Sequence, residues 1–491
     1  MSGVDLHLGA IGDGGKGRSL EAALREAVRS GRLVAGTRLP GTRGLAADLG
    51  LSRGTVVAAY TQLVAEGWLV GVPGSGTRVA DVPFGVGHGE STTAVSTAPT
   101  PPSPPDVDLR PGRPDLSSFP RTAWASSVRR ALSAASNDAL DYGDDAGLPV
   151  LRAALADYVS RTRGVAADAG SVLVTGGFMH ALGLLARALG GLGVRAVATE
   201  DPGLARHREL ITAAGLAAVP LTVGRDGADP GELTSRAGAA LLTPAHQHPR
   251  GVVLAPDRRA AFVAWARRRD GYLIEDDYDG EFRYDQQPVG AMQALAPDRV
   301  VYAGSASKAL APGVRLGWLV VPPALRGPLL EAIAETGTSV PAIDQLALAD
   351  LIARGDYDRH IRRVRLMYRR RRAELAQRLA TVTPTGLDGV AAGLHALLPL
   401  ASADRERELV DAAARDGIRL HGLHTAGYWH RPGPERPAAL IIGYATPPPH
   451  AWRRSLDALA AVVGRVAGQT VATRNSSARD GGRSPSARPA K

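Results

Sequence analysis

One interior lysine is the residue best suited to covalent chemistry in this chain. The sequence holds 58 lysines and arginines, but only three of these are lysines, at positions 16, 308 and 491. Arginine stays protonated, whereas a lysine whose pKa is lowered can form a Schiff base with an aldehyde. Lys308 ends the segment Gly-Ser-Ala-Ser-Lys between two apolar stretches that predict strands. We interpret it as a reactive amine, and the alternative is a surface lysine without such a role.

Glycine and hydroxyl residues near this lysine could bind a phosphate. The segment Val174–Gly177 closes a predicted strand and opens a predicted helix, where free N–H groups and the helix dipole favour an anion. Arg315 could add a charged clamp, and Ser305 and Ser307 could donate hydrogen bonds. These residues predict an anion-binding end of the site.

Carboxylates and other polar side chains follow two further predicted strands. The residues Glu275–Tyr278 end an apolar stretch, so one carboxylate can point into the site, and the residues Thr243–Pro249 form a polar turn. A phosphorylated nitrogen heterocycle with an aldehyde needs an amine, a carboxylate for its ring nitrogen and a phosphate cup. Each segment alone is weak evidence, but the five in chain order predict a cofactor of this kind.

Strand and helix patterns alternate from residue 107 to residue 468. Candidate strands are Val172–Val174, Val194–Thr199, Ala217–Val223, Ala240–Thr243, Leu273–Glu275, Val300–Ala303 and Arg315–Val321. Helical stretches follow most of them, which predicts one large α/β domain around a mostly parallel sheet. Later strands and helices predict a smaller α/β subdomain. A long helix over Tyr357–Leu379 would join the two parts, and its arginines could form a solvated face, a dimer contact or a nucleic-acid face.

Composition narrows the remaining classes. The chain has no cysteine, which excludes disulfides, thiolate metal sites and cysteine nucleophiles. It shows no signal-peptide pattern and no apolar run of membrane-spanning length, so we expect a soluble cytoplasmic protein. The net charge of +10 suggests a polyanionic partner, although bulk charge alone does not identify one.

Residues 17–80 predict a small DNA-binding domain. One helical pattern ends at Gly31, a second ends at Gly50, and Ser52 is a suitable N-cap for a third helix over Arg53–Glu66. A hairpin with a glycine-rich tip follows. This order predicts a winged helix-turn-helix, whose third helix fits a major groove. A three-helix protein-interaction module is the alternative.

The segment from residue 39 to residue 56 decides between these alternatives. It reads Leu-Pro-Gly-Thr-Arg-Gly-Leu-Ala and then Gly-Leu-Ser-Arg-Gly-Thr-Val, which closely resembles the DNA-binding domain of GntR-type repressors. The resemblance implies contacts with DNA by Arg43, Ser52, Arg53 and Thr55, with Gly76 at the tip of the wing.

Two segments are predicted to lie outside the folded domains. Residues 81–106 are rich in Ser, Thr and Pro, which is typical of an extended linker. Residues 469–491 are rich in Ser, Gly and Arg, and we expect a disordered basic tail.

The whole chain resembles the MocR subfamily of GntR-type regulators. Residues 107–468 look like a fold-type I aminotransferase, whose lysine motif for pyridoxal 5'-phosphate (PLP) matches Ser-Ala-Ser-Lys. The resemblance implies a Schiff base between PLP and Lys308, a contact of Asp276 with the pyridine nitrogen and a contact of Tyr278 with the ring hydroxyl. The spacing leaves Asp277 as an alternative to Asp276. The phosphate would contact Gly177, Ser305, Ser307 and Arg315.

Several positions depart from the aminotransferase pattern. Phe178 and Met179 replace a polar pair, Leu204 replaces a frequent tyrosine, and His248 stands where asparagine is usual. The stretch Leu440–Tyr444 lacks the arginine that clamps a substrate carboxylate in aminotransferases. Arg206 or Arg436 could substitute for it, but neither is placed by a motif.

These departures favour a regulator over an enzyme. We expect a PLP-binding, sequence-specific DNA-binding regulator of PLP synthesis or of an amine or amino-acid pathway. The resemblance implies a homodimer. We expect PLP to favour one arrangement of this dimer, and that arrangement to differ in operator affinity. An active aminotransferase with an accessory DNA-binding domain and a scaffold without PLP are the alternatives. No metal is expected.

Overall fold

The described residues form two compact units, one up to residue 81 and the other from residue 106. The structure is a computed structural model that describes residues 16–81, 106–284 and 289–480, with the side chains up to residue 467. Of the predicted linker, residues 82–105 lie outside the described part of the chain. Residues 481–491 of the predicted tail also lie outside it.

The first unit has the order of elements that the sequence predicts. Its helices and strands are α1 (Lys16–Arg29), α2 (Thr42–Asp48), α3 (Arg53–Ala65), β1 (Leu69–Val72) and β2 (Gly76–Val79). Strands β1 and β2 pair in antiparallel register as a hairpin. Leucines on one side of each helix, among them Leu24, Leu45 and Leu63, form a shared core, because apolar residues recur at helical spacing.

The second unit contains the remaining strands and helices. Its strands are β3 (Val107–Asp108), β4 (Val172–Thr175), β5 (Ala196–Asp201), β6 (Ala217–Gly224), β7 (Gly227–Ala228), β8 (Ala239–Leu242), β9 (Tyr272–Asp276), β10 (Val300–Ser305), β11 (Gly317–Val320), β12 (Ala396–Leu400), β13 (Ile418–Arg419), β14 (His421–Gly422) and β15 (Ala438–Ile442). Its helices are α4 (Arg121–Ala134), α5 (Pro149–Arg163), α6 (Phe178–Gly191), α7 (Ala205–Ala213), α8 (Pro256–Arg269), α9 (Ala306–Ala309), α10 (Pro323–Thr336), α11 (Ala342–Ala353), α12 (Asp356–Ala380), α13 (Ala403–Arg415) and α14 (Trp452–Asp480).

An eight-stranded sheet organises this unit. The strand order is β4-β11-β10-β9-β8-β5-β6-β7, and β6, β5, β8, β9 and β10 run parallel. Strand β11 is antiparallel to both of its neighbours. Strands β4, β5, β8, β9 and β10 therefore end at one edge of the sheet, where β11 begins, and ligands of open α/β sheets bind at such an edge. The predicted α/β class with a mostly parallel sheet is confirmed.

The smaller subdomain is built around a three-stranded antiparallel sheet. Its order is β12-β15-β14, helix α13 packs against it, and helix α14 packs against α13 and α12. Strand β13 pairs with β3, so the first strand after the linker joins this subdomain. Helix α14 continues to Asp480, and residues 469–480 are therefore helical where the sequence predicts disorder.

The arginine-rich helix α12 differs in part from its prediction as an exposed element. Arg362, Arg363, Arg369 and Arg370 are exposed, as expected of a charged face. Arg371 is buried instead, and its guanidinium donates to the carboxylate of Asp115 and to two backbone carbonyls after β15. One charge of the predicted face therefore belongs to the core.

A buried ion pair lies directly after strand β9, at the edge of the sheet where the parallel strands end. Arg163 donates two hydrogen bonds to the carboxylate of Asp277, at 2.6 and 2.9 Å. The Tyr302 hydroxyl donates to the same carboxylate at 2.7 Å. Both side chains of the pair are at most 3% exposed. Removing one partner would leave an uncompensated charge in the core.

We predict that Asp277→Ala lowers the free energy of unfolding by about 3–5 kcal/mol, because Arg163 loses its buried partner. Asp457→Ala is the matched control. Asp457 pairs with Arg378 on the surface, and its loss should cost less than about 1 kcal/mol. Denaturant titration of both variants measures the difference. Equal losses of stability in the two variants would show that the buried pair contributes no more to stability than the surface pair.

Candidate functional site

A cavity of about 380 Å³ lies at the sheet edge where the parallel strands end. Its lining includes six of the seven residues predicted to contact the cofactor: Asp276, Tyr278, Ser305, Ser307, Lys308 and Arg315. Thr199 and Glu200, which lie near the end of β5, also line it. The predicted residues thus converge from distant positions in the chain.

Lys308 lies in the short helix α9, directly after β10. Its Nζ donates a hydrogen bond of 2.6 Å to the carbonyl of Gly112. Burial lowers the pKa of the Lys308 amine, while the carboxylates of Asp276 and Asp279 act in the opposite direction. A lowered pKa is the property that an imine-forming lysine needs.

Asp276 and Asp277 point to different surroundings. Asp276 is the last residue of β9 and lines the cavity, whereas Asp277 is taken up by the buried pair with Arg163. Burial raises the pKa of Asp276 well above its usual range, and the nearby Lys308 charge opposes that rise. Of the two candidates, only Asp276 offers its carboxyl to the cavity.

Gly177 and Ser305 directly precede helices α6 and α9, and together with Ser307 and Arg315 they form the predicted anion-binding end, which we call the anion cradle. Gly177 precedes helix α6 with φ +91°, and a Cβ built on it would lie 3.7 Å from Arg315 Nη1 and 3.9 Å from Ser307 Oγ. Ser305 Oγ accepts from the backbone N–H of Ser307 at 3.0 Å. Arg315 has a left-handed backbone with φ +54°, a conformation that costs free energy for a residue with a Cβ. The side chains of Ser305, Ser307 and Arg315 and the backbone of Gly177, which has no Cβ, could together bind a small anion.

Tyr278 follows the carboxylates and reaches a histidine. Its hydroxyl lies 3.1 Å from His246 Nδ1. Burial raises the pKa of Tyr278 well above its usual range, and the carboxylates of Asp279 and Asp276 add to the rise. The hydroxyl therefore stays protonated and can donate a hydrogen bond.

Glu200 is a cavity residue that sequence reasoning missed. Its carboxylate accepts from Thr243 Oγ1 at 2.5 Å, from the Thr243 N–H at 3.2 Å and from Gln247 Nε2 at 3.2 Å. Burial raises its pKa to about 7. The only sequence signal is an acidic residue at the end of a predicted strand, which is common at solvated strand ends as well.

Two buried polar atoms of the lining have no hydrogen-bond partner among the described residues. They are Thr199 Oγ1 and His248 Nδ1. Buried polar atoms are normally paired, so an unpaired one at a cavity wall indicates a ligand or water there. Burial also lowers the pKa of His248 well below its usual range, so its imidazole is neutral.

The arginines suggested as carboxylate clamps lie elsewhere. Arg206 is exposed and pairs with Glu209, and Arg436 stacks over Trp429; neither lines the cavity. Strand β15 places no arginine there either. Arg208 does line the cavity. Its guanidinium donates to the carbonyls of Gly203, Gly427 and Tyr428. Among the described residues, Arg315 at the anion cradle is the other lining arginine.

The predicted DNA-contacting residues lie on the surface of the first unit. Arg43 on α2 and Arg53 on α3 are exposed, and so is Gly76 after the hairpin turn. Ser52 caps α3, since its Oγ accepts from the Thr55 N–H at 3.1 Å. The residues are therefore available to a ligand of this unit.

Two features are absent from the described part of the chain. None of its helices has the length and apolar character needed to cross a membrane. No group of three or more histidine, aspartate or glutamate side chains in residues 16–81, 106–284 and 289–467 is arranged to hold a metal ion.

Two family descriptions match the sequence. Residues 107–420 match aminotransferase class I and II, and residues 16–79 match bacterial regulatory proteins of the gntR family. Together they cover the first unit and most of the second.

Curated relatives match most of the chain. The uncharacterized HTH-type transcriptional regulator YhdI of Bacillus subtilis is 34% identical, covering 86% of this chain and 90% of its own. The probable rhizopine catabolism regulatory protein MocR of Rhizobium meliloti is 33% identical, covering 90% and 92%. The HTH-type pyridoxine biosynthesis transcriptional regulator PdxR of Corynebacterium glutamicum is 33% identical, covering 87% and 91%.

Solved structures share the fold of the second unit. An archaeal alanine:glyoxylate aminotransferase has a TM-score of 0.66 at 22% identity, covering 73% of this chain and 91% of its own. A Thermus thermophilus aspartate aminotransferase with maleate has a TM-score of 0.59 at 22% identity, covering 73% and 90%. The fold and the site thus define an aminotransferase-like domain joined to a helix-turn-helix domain.

The chain belongs to the MocR subfamily of GntR-type transcriptional regulators, which carry an aminotransferase class I and II domain. The resemblance found in the sequence is confirmed over nearly its full length.

We predict that Gly177→Ala weakens PLP binding at least about tenfold, because the new methyl group enters the cradle and the left-handed backbone disfavours a Cβ. Gly183→Ala in the same helix is the matched control, since a Cβ there meets nothing within 4 Å. Titration of the apo-protein with PLP, followed by absorbance, gives both affinities. Wild-type affinity in a folded Gly177→Ala variant would contradict the placement of the anion at this cradle.

Proposed function

We propose that this protein is a PLP-responsive regulator whose aminotransferase-like unit binds PLP and thereby changes the operator affinity of its helix-turn-helix unit. The observation that carries the proposal is one cavity that is lined by Lys308, Asp276, Tyr278 and Arg315, with Gly177 next to Arg315. The matching families and the 33% identity with a pyridoxine biosynthesis regulator support it.

Each residue proposed to contact the cofactor has one role. The Lys308 amine, whose pKa burial lowers, would attach the cofactor covalently. Asp276 would hold a proton on the pyridine nitrogen, and Tyr278 would donate to the ring hydroxyl. Gly177, Ser305, Ser307 and Arg315 would bind the phosphate. When bound, PLP supplies an aldehyde and an electron-withdrawing ring.

The charges around the cavity favour sensing over turnover. Transamination needs the substrate carboxylate held so that its Cα–H lies across the ring, and a bidentate arginine provides that orientation. The guanidinium of Arg208 instead contacts three backbone carbonyls. His248 and His207 are neutral because burial lowers the pKa of each imidazole. The described lining therefore offers little to bind an amino-acid carboxylate.

The partners follow from this mechanism. Operator DNA would bind through α3 and the hairpin, with Arg43, Ser52, Arg53, Thr55 and Gly76 as contacts, which sets the site of action in the cytoplasm. PLP would bind alone or with an amine or amino-acid effector. The natural target of a PLP-only sensor is vitamin B6 synthesis, and an amine effector would instead indicate a pathway for that compound.

We also propose a homodimer. Five large apolar side chains between residues 116 and 150 of the sequence remain exposed: Leu116, Leu132, Leu140, Tyr142 and Val150. Exposed apolar groups that form a contiguous patch are typical of protein contacts. A second copy of the chain is the partner that the family resemblance implies, and its arrangement would couple PLP to DNA.

Aminotransferase activity is the second candidate function. The retained Lys308, Asp276 and Tyr278 favour it, because they are the groups that the chemistry requires. Steady-state assay of amino donors with a keto-acid acceptor separates the two candidates. Sustained multiple turnover would establish the enzyme, and absent turnover in a protein with bound PLP supports the sensor.

The covalent attachment has its own test. We expect the purified protein to show an absorbance band near the visible edge that Lys308→Ala removes, because the band requires the bond between the amine and PLP. If wild type reconstituted with PLP shows no such band, the protein is a scaffold without the cofactor.

We predict that Arg53→Ala weakens operator binding about 5- to 50-fold, because an exposed arginine at the start of α3 contacts phosphate or a base edge. PLP content should not change. Arg29→Ala, which removes an exposed arginine paired with Glu26 at the end of α1, is the matched control. Fluorescence anisotropy with labelled operator DNA at physiological salt measures both. Unaltered affinity of the Arg53→Ala variant would overturn the placement of the recognition helix.

A further inference from the structure

A buried histidine–aspartate pair lies directly behind Tyr278. The His246 Nδ1 atom lies 2.7 Å from Asp279 Oδ2, and both side chains are at most 3% exposed. The Tyr278 hydroxyl lies 3.1 Å from the same Nδ1 atom. Neither His246 nor Asp279 lines the cavity. The proposed cofactor contacts do not account for this pair.

The protonation of the pair follows from its hydrogen bonds. A carboxylate only accepts, so His246 Nδ1 must carry the proton that it shares with Asp279 Oδ2. The Tyr278 oxygen can then accept from Nδ1–H in a second, weaker contact, and the same hydroxyl also contacts the Asp279 carboxylate, so the pair holds it in place at the cavity wall. A histidine whose tautomer is fixed by a carboxylate is a common means of orienting a neighbouring group.

The backbone of the smaller subdomain closes over the pair. Gly393 has φ +72°, and a Cβ built on it would lie 2.3 Å from Asp279 Oδ2 and 2.6 Å from His246 Nδ1. Its carbonyl accepts from the hydroxyls of Tyr284 and Tyr444 at 2.5 and 2.6 Å. Glycine is thus required at this position, and the pair is held between the sheet edge and the segment that leads into β12.

We propose that His246 and Asp279 are positioning residues that aim the Tyr278 hydroxyl at the ring hydroxyl of PLP, and that Gly393 fixes this pair to the smaller subdomain. The proposal rests on the proposed function, because it assumes PLP in the cavity. It assigns the fixed position of the Tyr278 hydroxyl to two residues that do not themselves line the cavity.

The test compares PLP affinity and the absorbance spectrum of bound PLP in the variants His246→Ala, Asp279→Asn and Tyr278→Phe. We expect His246→Ala and Asp279→Asn each to weaken PLP binding about 3- to 10-fold, the range of one hydrogen bond. Each should change the relative absorbance bands in the same direction as Tyr278→Phe. In the Tyr278→Phe background neither should have a further effect, because residues that act through a third one are not additive with it.

Two control variants separate positioning from general damage. His246→Asn keeps an N–H donor near the position of Nδ1 and should restore most of the affinity and the spectrum. His424→Ala removes a partly buried histidine outside the cavity lining and should change neither. Circular dichroism reports whether each variant is folded, and Asp279→Asn provides the result if His246→Ala does not fold.

The outcomes distinguish this inference from the function on which it rests. Absence of PLP binding in wild type overturns the proposed function and this inference with it. PLP binding in wild type with an unchanged spectrum in folded His246→Ala or Asp279→Asn overturns the inference alone. So do effects that add fully to those of Tyr278→Phe.

Discussion

The amine of Lys308 is held where burial disfavours its charge and where carboxylates favour it. A lysine in bulk water would stay protonated, and a lysine in an apolar core would not be accessible. The sheet edge provides the intermediate environment, because the parallel strands end together and leave a cavity above them. Asp276 offers its carboxyl to the cavity, while the neighbouring Asp277 is paired with the buried Arg163. The end of β9 thus separates a carboxyl group that lines the cavity from one that belongs to the buried ion pair.

The rest of the second unit supports this arrangement at both ends of the cavity. Helix α6 begins directly after Gly177, so its first N–H groups lie at the anion cradle. At the opposite end, Gly393 brings the smaller subdomain against His246 and Asp279. A ligand that fills the cavity would therefore contact both the large sheet and, through Tyr278, residues packed on the smaller subdomain. This is the kind of two-part contact through which a ligand can favour one domain arrangement over another.

The sequence predicts the fold class and the cavity residues well for reasons that are local. Buried strands and amphipathic helices have distinct periodicities, and Lys308 stands in a specific motif. Other features depend on contacts between distant residues. Asp277 meets Arg163, 114 residues away, and only this contact separates it from Asp276. Glu200 lies near the end of strand β5, and the His246–Asp279 pair lies in polar turns that have no specific sequence signal. Burial of Arg371 depends on Asp115 from another part of the chain. Residues 469–480 were expected to be disordered from composition, yet they continue the amphipathic helix α14.

The central claim is that PLP in the cavity changes the affinity of the first unit for DNA. A titration of fluorescently labelled DNA from upstream of the protein's own gene, with and without saturating PLP, measures this coupling directly. We predict that PLP changes the apparent dissociation constant at least about fivefold, the lower range of allosteric coupling. The difference should disappear in Lys308→Ala. Superimposable titrations of the wild type, with PLP shown to be bound, would contradict the claim.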